Sequence, residues 1–155
     1  MTHKEADFEA AIVRSLMEHG GYVEGDPATF DAELGLFERD LVEFVEHTQP
    51  EAWDGLVKLY GASAGAKLAK RVAKQIDARG TVDVLRHGID EQNVKGIRLA
   101  SFRPAHGLTP ELEERYRANE LVVTRQVAYE SGSNKTLDLM LSVNGIPVAT
   151  AELKS

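Results

Sequence analysis

The hydrophobic period of the chain changes about halfway along. In the first half, apolar residues recur every three or four positions. Phe8, Ile12, Val13 and Leu16 share a helical face, and Gly20-Gly21 ends that run. Phe37, Leu41, Phe44 and Val45 form a second amphipathic face. Thr48-Gln49-Pro50-Glu51 reads as a helix start, with proline in the first turn and an acid after it, so Trp53, Leu56, Val57 and Tyr60 face a core. Leu68, Val72 and Ile76 mark a further helix that ends near Gly80. The second half reads differently. Val84-Leu85-Arg86 and Ile97 to Phe102 have the pattern of short strands, and Thr109-Pro110-Glu111 opens a helix running to about Asn119, with threonine as its cap. Leu121 to Glu130 is followed by a polar loop and by two apolar runs around Asn144-Gly145, a terminal hairpin. The expected fold class is α/β: a mixed central sheet flanked by helices, with a helical N-terminal half.

At 155 residues the chain suits a single domain with one core. No apolar run approaches the ~18 residues of a membrane span, and the acidic start MTHKEADFEA is not a signal peptide. Cysteine is absent, which excludes disulfides and thiolate metal sites. These features predict a cytoplasmic protein with no membrane partner. The five histidines, His3, His19, His47, His87 and His106, have no paired ligand spacing, so no zinc site is expected. The net charge of −7 argues against a nucleic-acid partner, but its distribution weakens that objection. Residues 1–54 hold 14 acids and 3 bases, whereas residues 55–155 hold 11 acids and 15 bases. Phosphate binding needs local positive charge rather than a basic whole chain. The outer face of the fourth helical segment offers it in Lys67, Lys70, Arg71 and Lys74, a face that can track a DNA backbone or simply be solvated.

The candidate chemistry lies in the last twenty residues, TLDLMLSVNGIPVATAELKS. Asp138 sits in one apolar run, and Glu152 and Lys154 sit in the next with E-x-K spacing. Two carboxylates and a lysine on neighbouring strands can hold a divalent cation beside a phosphodiester. Magnesium takes hard oxygen ligands, and a lysine can orient or deprotonate the attacking water. Partial burial would favour the neutral form of Lys154. The bland alternative is an edge hairpin charged against aggregation. The apolar neighbours Leu137, Leu139, Met140 and Leu141 count against it, since a lone carboxylate on a buried strand needs a partner. Arg125 and Gln126, on a strand expected beside the hairpin, place one side chain toward the site or else make a structural ion pair or buried amide.

Strand parity makes the idea specific. A plain two-residue Asn144-Gly145 turn sets Asp138 opposite Ala151 and turns Glu152 away. A three-residue loop with Gly145 in a left-handed bulge sets Asp138 opposite Thr150, with Glu152 diagonal on the same face. Pro147, which cannot donate to a ladder, is another bulge position. The expectation is a hairpin that is not a plain two-residue turn.

Together with FEAAIVRSLMEHGGY at 8–22, FVEHTQPEAW at 44–53, VLRHG at 84–88 and NELVVTRQVAY at 119–129, the block LDLMLSVNGIPVATAELKS at 137–155 resembles a known family. It is the N-terminal nuclease domain of the restriction (R) subunit of type I restriction–modification enzymes, similar to PD-(D/E)xK nucleases. The resemblance covers nearly the whole chain and implies a magnesium-dependent endonuclease that hydrolyses duplex DNA, with Asp138, Glu152 and Lys154 as its motif. Asp138 and Glu152 are then the metal ligands. Leu137 replaces the usual proline before the aspartate, and Glu9 is the candidate acid from the first helix. Further expected DNA contacts are Lys67, Lys70, Arg71, Lys74 and Arg125. The family's Q-x-x-x-Y motif follows the lysine and is not in this sequence, nor is any GxxxxGK[ST] loop. The resemblance thus implies that residues 1–155 are one nuclease domain at the N-terminus of a longer subunit, with ATP bound only in the full-length subunit. The methyltransferase and specificity subunits are the implied partners. The competing reading is a non-catalytic module that docks onto DNA or those subunits, with its acidic first third facing protein.

Overall fold

Helix α1 (His3–His19) leads into a short strand β1 (Tyr22–Glu24) in the computed structural model, which describes residues 3–154. A helical layer follows: α2 (Glu38–Thr48), α3 (Pro50–Tyr60), α4 (Ala64–Arg79) and α5 (Thr81–His87). An antiparallel ribbon of β2 (Ile89–Glu91) and β3 (Val94–Ile97) comes next, then α6 (Pro110–Arg117). The strands β4 (Leu121–Ala128), β5 (Thr136–Val143) and β6 (Ile146–Ala151) join β1 in a sheet of order β1-β4-β5-β6. β1 runs parallel to β4 and the other pairs are antiparallel, so the mixed α/β architecture expected from the sequence is the one found.

Apolar burial divides into three clusters. The helical layer packs Leu41, Phe44, Leu56, Leu68 and Val72 around Ile97, Leu99 and the hairpin residue Ile146. On one face of the main sheet, Val13 of α1 meets Val123 and Leu139, with Ile12, Leu16 and Leu153 against them. Phe37, Val127 and Met140 form the third cluster, joined by Phe30 and Leu137. The face of α1 that meets the sheet is turned from the expected one: Phe8 is 56% exposed while Glu9 is 1% exposed. Val57 is likewise exposed, and Leu56 takes the buried position on α3.

Two expected strands are corrected. Val84-Leu85-Arg86 belongs to α5, set off by Gly80 and Gly88, both in the left-handed region. Ile97 to Phe102 is strand only at its first residue. Beyond Ile97 the backbone is satisfied by amide side chains instead of a neighbouring strand. Gln49 accepts from the Arg98 N–H (2.7 Å) and donates to the Arg98 carbonyl (2.9 Å). Asn119 does the same at Ser101 (2.9 and 2.6 Å), and the Asn144 amide donates to the Leu99 carbonyl (3.0 Å). Thr109 precedes α6 in an extended conformation, but its hydroxyl caps nothing.

The terminal hairpin has a two-residue turn. Val143 pairs with Ile146 across Asn144 (φ 51°) and Gly145 (φ 81°), two left-handed residues that suit the right-handed strand twist. Of the two expected departures from a plain two-residue turn, the three-residue loop is not found and the bulge at Pro147 is. The irregularity lies one step further on: Ser142 pairs with Pro147 but Leu141 pairs with Ala149, so Val148 is an extra residue in β6. Proline, with no N–H to give, sits at this bulge. The shift brings Leu139 opposite Ala151, and the same register carried one residue on sets Asp138 across from Glu152.

Candidate active site

Helix α1, strand β4 and strand β5 converge on a small polar cluster. Glu9 is buried where α1 crosses the sheet, and burial of a carboxylate needs paired donors. It has two: Arg125 Nε donates to Oε1 at 2.5 Å, and Gln126 Nε2 donates to Oε2 at 2.8 Å. Arg125 also lies 3.8 Å from Glu24 of β1. The Gln126 amide nitrogen reaches Asp138 Oδ1 at 3.3 Å, and the Thr136 hydroxyl donates to Gln126 Oε1 at 2.8 Å. The other oxygen of Asp138, Oδ2, accepts the Leu153 backbone N–H at 2.6 Å. The half-buried Asp138 carboxylate thus joins the Glu9 cluster to the segment between Glu152 and Lys154.

Consecutive strand residues point to opposite faces, yet Arg125 and Gln126 both bind Glu9. The reason is a positive φ (52°) at Gln126 in the middle of β4. The ladder is intact on both sides, with Arg125 opposite Leu139 and Val127 opposite Leu137, and it omits the Gln126–Asp138 step. The strand's face inverts there. Val123 packs in the cluster under α1, whereas Val127, four residues on, packs with Phe37 and Met140. Leu139 and Leu137 separate in the same way.

Of the residues singled out in the sequence, Glu9, Arg125, Gln126 and Asp138 are brought together. Glu152 and Lys154 lie beyond the last paired residue of β6, both exposed, and neither side chain makes a hydrogen bond or ion pair among the described residues. The partial burial expected of Lys154 is therefore absent: the strand ends at Ala151 and nothing covers the lysine. The basic face sits on α4, which packs on α2, α3, α5 and β2. Lys67 Nζ lies 5.8 Å from the centre of the Tyr60 ring, and Arg71 Nε is held by the Asp90 carbonyl (3.0 Å) and Glu91 (3.3 Å). Lys70 and Lys74 are exposed. Thr136 and the Leu153 N–H were not legible as participants: each acts only through the placement of Gln126 or Asp138.

Among the described residues, no three His, Asp or Glu side chains are gathered into a metal cage. The donor chemistry nevertheless fits a hard cation. Mg²⁺ takes one or two carboxylates and keeps several waters, and Asp138 retains lone pairs beyond the two bonds it accepts.

Two comparisons with known proteins give no counterpart: no curated protein and no solved structure matches the chain. A third does: residues 4–155 match the family described as Type I restriction enzyme R protein N terminus (HSDR_N).

Proposed function

The chain belongs to the family of the type I restriction enzyme R protein N terminus, and on that footing we propose that it is a Mg²⁺-dependent endonuclease domain that hydrolyses phosphodiester bonds of duplex DNA. The observation that carries this reading is the Asp138 carboxylate, bound at once to the Glu9 cluster through Gln126 and to the Leu153 N–H within the Glu-Leu-Lys segment.

Asp138 and Glu152 would hold the cation. When bound, the metal supplies Lewis-acid polarisation of the phosphoryl group and acidifies water. Lys154, on a flexible stem in solvent, donates to the attacking water or to a phosphate oxygen. Glu9 supports the centre from α1, its charge balanced by Arg125. Lys67, Lys70 and Lys74 extend a positive face for the DNA backbone, while Arg71 and Arg125 are already engaged by acids. Target choice rests with a specificity subunit, and ATP with the full-length R subunit.

The test is nicking of supercoiled plasmid with Mg²⁺ by the intact R subunit in its complex with the methyltransferase and specificity subunits. Asp138→Ala and Glu152→Ala are expected to abolish cleavage, and Lys154→Ala to lower it roughly 10²–10⁴-fold. Undiminished cleavage by the Asp138→Ala or Lys154→Ala complex would falsify these roles.

A further inference from the structure

Gln126 occupies a conformation that its residue type does not favour. An ordinary side chain at positive φ inside a strand is strained and persists only where its surroundings over-determine it. What the strain achieves is visible in its bonds. The single amide nitrogen lies 2.8 Å from Glu9 Oε2 and 3.3 Å from Asp138 Oδ1, so its two hydrogens serve two carboxylates from elements 129 residues apart in the chain. Both partners are acceptors only, which compels the NH₂ rather than the carbonyl to face them. The Thr136 hydroxyl at 2.8 Å occupies the carbonyl and fixes the opposite end. With regular backbone, Gln126 would point to the other face of β4, and nothing would bridge Glu9 to Asp138.

We propose that Gln126 is the positioning residue of this centre: its amide draws the Glu9 and Asp138 carboxylates to one place and orients Asp138 for a divalent cation. The inference deepens the nuclease reading and rests on it. A neutral donor suits the task, because it brings two acids together without adding a charge that would oppose the cation. Arg125 already provides the one full positive charge that buried Glu9 requires.

Gln126→Gly separates the side chain from the backbone, since glycine takes the positive φ without strain. Gln126→Asn serves as a second variant, because asparagine tolerates that conformation and its amide is shorter by one methylene. In the intact R subunit, Mn²⁺ binding is measured by calorimetry, with the binding lost in Asp138→Ala assigned to this site. Both variants are expected to stay folded, with a cooperative melt lowered by no more than the loss of one of the two donors to buried Glu9, and to bind Mn²⁺ roughly 10–100-fold more weakly, the range for loss of a partner that orients a metal ligand. The Mn²⁺ concentration for half-maximal plasmid nicking should rise in parallel, and saturating Mn²⁺ should restore the rate. Unchanged Mn²⁺ affinity in both variants overturns the proposal alone. So does a lower nicking rate with unaltered metal dependence, which is the behaviour of a merely structural residue. A wild-type subunit with no Mn²⁺ binding attributable to Asp138 overturns the nuclease reading and this one together.

Discussion

The Glu9–Arg125 pair sets a buried carboxylate against a partly exposed guanidinium. Glu9 is 1% exposed, whereas the Arg125 side chain keeps 38% of its surface in solvent. Truncating the arginine strands a buried charge, so Arg125→Ala is expected to destabilise by about 2–3 kcal/mol, just under the ~3–5 kcal/mol seen when a fully buried pair is broken. Glu9→Gln should cost less, and the double variant should recover part of the Arg125→Ala loss because the stranded charge is gone. Urea denaturation of the four proteins decides: an Arg125→Ala variant no less stable than Glu9→Gln would sink the argument. The sequence named Glu9, Arg125 and Gln126, but it could not show that they meet. The apolar periodicity of α1 favoured a face with Phe8 on it, and the true buried face holds a carboxylate whose partner lies 116 residues away. Nor does glutamine announce a left-handed backbone; that conformation arises from the contacts around it.

At the level of elements, the Asn144-Gly145 turn does more than reverse the chain. A Cβ on Gly145 would stand 2.5 Å from the Phe37 carbonyl oxygen and 2.6 Å from the Leu41 nitrogen, and the Gly145 carbonyl accepts the Phe37 N–H at 2.8 Å. The first turn of α2 rests directly on the hairpin. Gly145→Ala is expected to lower stability by about 2–4 kcal/mol, overpacking and left-handed strain combined. Gly132→Ala is the control. Its φ is 76° and nothing lies within 4 Å of its Cβ, so only the strain of about 1–2 kcal/mol applies. Equal losses in thermal melts would show that the α2 contact adds nothing. Element types were mostly readable from periodicity and from glycine and proline positions. The failures have a common physical cause: short apolar runs do not distinguish strand from helix. Val84 fills the core from a short helix between two glycines, and residues 98–101 have their hydrogen bonds supplied by Gln49, Asn119 and Asn144, which no local pattern encodes. The hairpin's charge spacing was legible and proline marked a bulge position at 147, but the combination of a two-residue turn with a bulge at Pro147–Val148 is set by the register.

Across the whole molecule, the excess of acid in the first third persists as a surface. A concavity of about 390 Å³ is lined by Glu43, Glu46, His47 and Glu120 where α2 meets the end of α6 and the start of β4. Burial first, then the charges of Asp40 and Glu43, raise the Glu120 carboxyl above its ordinary value of 4.5, with Arg39 opposing them. The folded chain therefore holds this proton to higher pH than the unfolded chain does. Well below 4.5 the group is neutral in both states and has no effect. As pH rises through 4.5 and past the raised folded value, it costs the folded state stability. Glu120→Gln should then melt with wild type in acid and above it near neutrality, by a small margin because the group is largely in solvent. A gain that is the same at about pH 3.5 and about pH 7 would point to packing instead of charge. Charge asymmetry of this kind is legible in any sequence; which acids become neighbours is set by the docking of α2 on the hairpin.

The hairpin turn also governs how the protein ages. An asparagine followed by glycine is open to attack by the glycine amide nitrogen on the side-chain carbonyl; ammonia leaves, and hydrolysis of the resulting ring yields isoaspartate. In the folded turn the Asn144 carbonyl is held by the Glu120 N–H at 2.8 Å, and its amide by Leu99 and Asn119, each at 3.0 Å. Ring closure has to wait until the hairpin opens. Isoaspartate at position 144, followed by peptide mapping during storage, should accumulate at a rate that tracks local opening and climbs steeply in sub-denaturing urea. The turn thus carries a chemical clock that runs only while the fold is undone.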